Sequence, residues 1–209
     1  MGMAQVADRF WTSDCNDALE RQYIQRYTQI AIPPELLGSH IGPTQSHTTG
    51  RVHSLSFRAI TALFGHAGLE WDITQTSDAE KKQLKGFSDY YKLKRSLLHT
   101  GRMVRSEIDE STFVHGVVSQ DKKEALFAYA TLAAAQGSRP NAIVIPGLAS
   151  DKRYQVKAVF PMGEPTFIQR TQVGWLDGVT LTGEALAKAG LRAPIMNPEN
   201  AMLIEIKES

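Results

Sequence analysis

Residues 10–22, FWTSDCNDALERQ, concentrate reactive side chains behind an apolar pair, Phe10 and Trp11. Asp14 and Asp17 stand three apart, with Cys15, the only cysteine of the chain, between them. A carboxylate at such a place can act as a general acid or base. It can equally do no more than cap a helix, since Ser, Asp or Asn ahead of an amphipathic run accepts the first free N–H groups. Both readings are open for Asp14. A Cys15 nucleophile would need an imidazole base beside it, and the local sequence supplies none, so Cys15 reads as a small residue at a helix start. His40, His47 and His53 are spaced by seven and six, which does not set two ligands on one helix face, so no metal site is expected. Arg21, two helical turns beyond Asp14, reads as one half of an ion pair.

The elements that must position these groups follow from periodicity. Residues 10–13 read as a short strand. From Asn16, Leu19, Tyr23, Tyr27 and Ile30 recur on one face of a helix that Pro33 and Pro34 stop. Residues 36–42 read as a buried strand, 54–65 as a buried helix and 68–74 as a strand. Ser77 with Glu80 forms a capping box for the next helix. Leu84, Phe87, Tyr91 and Leu98 line that helix's inner side, and Gly101 stands at a left-handed cap position. Strand and helix alternate three times, the grammar of parallel α/β structure. After residue 101 the texture changes to short β-rich runs. Residues 112–119 and 124–132 read as a hairpin, and 141–145, 154–160 and 201–207 as further strands, together an antiparallel β-sandwich. The expected division is therefore residues 1–100 and residues 101–209.

The 209 residues can bury a substantial core. With 23 basic and 22 acidic residues spread along the chain, the formal charge of +1 leaves no basic stripe for nucleic acid or an anionic membrane. One cysteine excludes a disulfide framework within the chain. The first ten residues lack a signal peptide's charged and apolar regions, and Val6 departs from the myristoylation pattern that Gly2 would start. A cytoplasmic location is expected.

Taken in order, WTSDCNDALERQYIQ, IPPELLGSHIG, HTTGR and TALFGHAGLEWDIT, followed by a charged helix and a β module, resemble the C-terminal part of the melibiase-type α-galactosidases of glycoside hydrolase family 36. The resemblance runs from Phe10 to the end. It implies that residues 1–100 are the last three strand–helix units of an incomplete (β/α)8 barrel, and that residues 101–209 are the family's C-terminal domain. A closed barrel takes roughly 250 residues.

The resemblance further implies retaining hydrolysis of terminal α-D-galactosides such as melibiose and raffinose. The family's W-[ST]-[SA]-D-x-x-D run puts the general acid/base on Asp14, at a strand end as barrel enzymes require. Trp11 is either a sugar platform or a core residue. Retention needs a second carboxylate about 5–5.5 Å away. In the family it lies on an earlier K-W-D-type strand that has no counterpart here; Trp71–Asp72, preceded by Glu70, matches it only superficially and in the wrong unit. A helix N-terminus favours the ionised carboxylate, whereas a general acid must hold a proton. A neighbouring carboxylate would resolve that tension, so Asp14 without one is an ordinary ionised acid. The segment carrying His47, Thr49, Gly50 and Arg51 implies a rim loop, in which Arg51 anchors a carboxylate. Gln45 and Ser46 stand where the family usually has Pro-Asn.

Two carboxylates suffice for the chemistry, so no cofactor is expected. The expected product is a catalytically incomplete α-galactosidase, or alternatively a non-catalytic carbohydrate-binding or assembly module. Its expected partners are α-galactoside oligosaccharides, the remaining barrel strands or a second copy of itself. An unpaired edge at residues 10–13 and the apolar faces of the helices at 16–30 and 54–65 would promote self-association.

Overall fold

The computed structural model describes residues 2–106 and 109–209. Three parallel segments open the chain. Phe10 forms a single bridge to Leu37, and strand β1 (Gly38–Ile41) pairs in parallel with β2 (His66–Leu69) from Gly38↔His66 to Ile41↔Leu69. Helices α1 (Ala18–Thr28), α2 (Leu55–Leu63) and α3 (Asp78–Thr100) follow the three segments in turn. The strand expected over 10–13 thus shrinks to Phe10. Beyond it the chain bonds to itself, with the Ser13 hydroxyl accepting from the Cys15 N–H at 3.1 Å, and such local bonds compete with a ladder. The strand expected over 68–74 lies at β2 instead. Asp72 accepts the Thr74 N–H at 3.0 Å and its hydroxyl at 2.6 Å, which turns the chain into a 3-10 turn at Ile73–Gln75.

α1 corrects the sequence reading. Of the expected inner face, Leu19 and Tyr23 pack on the core, but the fully buried residues are Ala18, Arg21, Gln22 and Gln25, while Tyr27 is 64% and Ile30 70% exposed. The neighbours explain the buried amides: Gln22 Nε2 donates to Thr61 Oγ1 of α2 at 2.8 Å, and Gln25 Nε2 to Ser39 Oγ of β1 at 2.7 Å. Buried amides are tolerated because they are paired. Every residue of α2 is buried, since it packs on β1, β2, α1, α3 and the last strand of the chain. The expected bare apolar face at 54–65 is therefore covered.

The capping box of α3 forms, with Glu80 N–H to Ser77 Oγ at 3.3 Å and Ser77 N–H to Glu80 Oε2 at 3.0 Å. Gly101 is extended (φ −75°, ψ 163°) rather than left-handed. A glycine is needed there because a Cβ would lie 2.6 Å from the Leu97 carbonyl oxygen.

The remaining strands are β3 (Arg102–Ser106), β4 (Thr112–Val118), β5 (Glu124–Thr131), β6 (Arg153–Val159), β7 (Val179–Thr182) and β8 (Asn200–Glu208). They form one antiparallel sheet in the order β3-β4-β5-β8-β6-β7. Among the described residues no second sheet faces it, so the expected sandwich is not formed. One face contributes Phe113, Val117, Leu126 and Leu203 to a core shared with Phe57, Leu63, Phe87 and Leu98 of the helices. The other face, with Val114, Phe127, Met202 and Ile204, is covered by Trp175, by Leu186 of helix α4 (Gly183–Lys188) and by irregular segments. Proline limits one segment of that cover. The expected strand at 141–145 is flanked by Pro140 and Pro146 and makes the isolated bridge Ile143↔Leu191 and a bond from the Ile145 N–H to the Leu186 carbonyl at 2.9 Å.

Candidate active site

Where the first parallel segment ends, the exposed Asp14 meets Trp11. The indole N–H of Trp11 donates to Asp14 Oδ1 at 2.8 Å. Trp11 lies over β1: its ring edge is 3.1 Å from where a Gly38 Cβ would stand, and its ring centroid is 4.5 Å from that of His40. Trp11 remains 41% exposed, so it is packed on one side and open to solvent on the other. His40 Nδ1 in turn lies 3.5 Å from Glu70 Oε2.

The cap of α1 is Asp17, not Asp14. Asp17 Oδ1 accepts the N–H groups of Leu19 at 2.9 Å and Glu20 at 3.1 Å. Its other oxygen accepts from the Thr49 hydroxyl and, at 3.2 Å, from Arg51 Nη1. Asp17 is 0% exposed. Burial pushes its carboxyl up, but the bonds from Thr49, the Glu20 N–H and Arg51, with His53 adding attraction, together hold it below the ordinary value. Arg51 Nη1 also reaches Glu20 Oε1 at 3.0 Å. The anchoring role expected of Arg51 thus falls on Asp17 and Glu20.

These bonds strap residues 44–52 to the start of α1. Ser46 Oγ donates to Asn16 Oδ1 at 2.8 Å, the Ser46 N–H bonds the Arg51 carbonyl at 2.8 Å, and Gly50 turns the chain at φ +76°. His47 is exposed on this loop, and Cys15 Sγ lies 3.3 Å from Thr48 Oγ1.

Arg21 departs from the expected ion pair. It is 4% exposed, and among the described residues no carboxylate stands within ion-pair distance of it. Its Nη2 donates to the Ser13 carbonyl at 2.6 Å and its Nη1 to Thr12 Oγ1 at 3.2 Å. Its Cζ lies 4.5 Å from the Trp11 ring centroid. Burial pushes the guanidinium below its ordinary value, against the pull of Cys15, Glu70 and Asp14.

The sequence reading missed Arg58, whose signal was a lone charge inside the apolar run 54–65. Burial lowers it to about 10, opposed by Glu80. It donates to the carbonyls of Gly42 at 2.6 Å and His53 at 3.2 Å and to Thr44 Oγ1 at 3.1 Å, closing the base of the 44–52 loop. Its Cζ also lies 4.7 Å from the Trp71 ring centroid, so Trp71 packs, and Asp72 serves its turn. The three histidines do not converge: His53 Nε2 is 3.1 Å from Glu199 Oε2 but outside hydrogen-bond geometry, and His40 faces Glu70. Among the described residues no group of three His, Cys, Asp or Glu could hold a metal ion.

The Melibiase family model matches residues 1–101 of this chain, and the model of the glycosyl hydrolase family 36 C-terminal domain matches residues 112–206. The chain belongs to glycoside hydrolase family 36. Among its relatives, the α-galactosidase of Escherichia coli is 40% identical over 208 residues, a match covering 96% of this chain and 29% of that protein. Two solved family 36 enzymes superpose on the whole of it. The α-galactosidase from Lactobacillus brevis does so with a TM-score of 0.84 at 27% identity, over 27% of its own length. A variant of α-galactosidase AgaA from Geobacillus stearothermophilus, in complex with raffinose, does so with a TM-score of 0.84 at 28% identity, again over 27% of its length. This chain therefore spans under a third of the family 36 enzymes it matches.

Proposed function

We propose that this chain supplies the last three strand–helix units and the C-terminal domain of a retaining α-galactosidase, with Asp14 as general acid/base. The observation that carries the reading is the 2.8 Å bond from the Trp11 indole to Asp14 at the end of the first parallel segment, together with the release of Asp14 from capping by Asp17. Catalytic groups of barrel enzymes sit at such strand ends.

In the first half-reaction the Asp14 carboxyl passes its proton to the glycosidic oxygen as the C1–O bond breaks and a nucleophilic carboxylate bonds C1. In the second, the Asp14 carboxylate takes a proton from the water that displaces the enzyme ester. The nucleophile comes from a barrel strand outside these 209 residues, and the nearby charge it brings keeps Asp14 protonated. The chain alone is therefore catalytically incomplete. Terminal α-galactosides of the melibiose and raffinose kind are the substrate class, supported by the raffinose complex of AgaA.

The test is a graft in which this chain replaces the matching residues of the E. coli relative. Hydrolysis of p-nitrophenyl α-D-galactopyranoside by the graft, and its absence from the isolated chain, are the expected results. Asp14→Asn in the graft should lower kcat/KM for melibiose by about 10²- to 10⁴-fold, the usual contribution of a positioned acid. Full melibiose turnover in Asp14→Asn, or activity of the isolated chain, would overturn the reading.

A further inference from the structure

Arg21 is a fully charged side chain packed into the protein without a carboxylate partner among the described residues. Burying such a charge is unfavourable unless its donors are engaged and its placement is needed. Its donors are engaged on three consecutive residues, all immediately ahead of Asp14: the Trp11 ring, the Thr12 hydroxyl and the Ser13 carbonyl. The guanidinium's planar fork suits that combination of stacking and divergent hydrogen bonds, and an ammonium does not reproduce it. The peptide it holds has left the sheet after Phe10, so no ladder fixes its geometry.

We propose that Arg21 is a positioning residue for the acid/base, an inference that rests on the role assigned above to Asp14. By clamping residues 11–13 from α1, Arg21 holds the Trp11 indole where its N–H occupies Asp14 Oδ1. An indole nitrogen can only donate, so Oδ1 stays an acceptor and the transferable proton resides on Oδ2. It leaves Oδ2 for the glycosidic oxygen as that oxygen takes the C1–O bonding pair. Misplacement of a reacting group by about 1 Å can reduce rate by roughly a hundredfold.

The discriminating experiment compares two galactosides in the graft. Melibiose has a sugar leaving group that needs a proton, whereas 2,4-dinitrophenyl α-D-galactopyranoside has one that leaves without it. Arg21→Met should lower kcat/KM for melibiose by roughly 10- to 100-fold and leave the dinitrophenyl substrate nearly unchanged. Arg21→Lys should recover part of the melibiose loss. Equal losses on both substrates, the signature of a purely structural role, would overturn the inference, as would no loss on either.

Should Arg21→Met fail to fold by near-ultraviolet circular dichroism, Arg21→Lys and Thr12→Val carry the same comparison. A leaving-group split in either supports the inference, and its absence from both contradicts it. The Asp14→Asn graft separates the two levels. A split there without one in the Arg21 variants rejects positioning alone, and no split there rejects the acid/base role and the inference with it.

Discussion

Asp14 and Asp17 sit three residues apart and do different work because their surroundings differ. Asp17 spends one oxygen on two backbone N–H groups and the other on Thr49 and Arg51. Asp14 is exposed and takes the Trp11 indole. Replacing Asp17 by Ala should destabilise the chain by about 2 kcal/mol, of which roughly half is the lost cap and the rest the charge-assisted bonds. Because its folded-state pKa is depressed, Asp17's contribution is present above the ordinary carboxylate value near 3.9 and is lost as pH falls through the lower folded value. Urea unfolding should therefore show the gap between wild type and Asp17→Ala constant from pH 7 to about 5 and closing below about pH 4. The concentration of acids behind Phe10 and Trp11 was legible in the sequence; the bond from the Trp11 indole to Asp14 was not read there. Which of two equally placed aspartates capped the helix was not, because that depended on Thr49 and Arg51 more than thirty residues away.

The elements show the same division. The capping box at Ser77, the apolar run of α2 and the β4–β5 hairpin are local patterns, and they formed as read. The inward face of α1 was read only in part: Leu19 and Tyr23 pack on the core, but Gln22 and Gln25 are buried by partners, Thr61 and Ser39, that no local pattern reveals. The edge strands β3 and β7 were not read: β3 (RMVRS) lacks a clear alternation, and β7 (VTLT) alternates over only four residues. The strand β4 makes a further prediction. His115 is buried between the rings of Phe64 and Phe113, at centroid distances of 4.6 and 4.5 Å, and its Nδ1 has no partner. Burial, with Arg105 and Arg26 nearby, lowers its pKa to about 3. The neutral form is thus the folded form, so stability is complete above the unfolded value near 6.5 and falls as pH drops from there toward 3. The slope reaches about 1.4 kcal/mol per pH unit. Between pH 7 and pH 5, wild type should lose about 2 kcal/mol more than His115→Leu in urea titrations; equal losses would show that His115 titrates normally.

At the scale of the molecule, the two halves share one core. Residues of α2 and α3 pack with Phe113, Leu126 and Leu203 of the sheet, so the helices that follow the parallel segments are braced by the C-terminal sheet. At the ends of the parallel segments, Trp11 touches both His40 and Asp14. A sandwich was expected where a single sheet with an irregular cover is found. The central claim is that Asp14 serves as both acid and base, and azide rescue tests it most directly. In the Asp14→Ala graft, with 2,4-dinitrophenyl α-D-galactopyranoside as substrate, water attacks the glycosyl-enzyme without base assistance. Azide needs no such assistance and should speed turnover while yielding α-galactosyl azide. A graft that has lost its activity and gives neither acceleration nor the azide product would contradict the account.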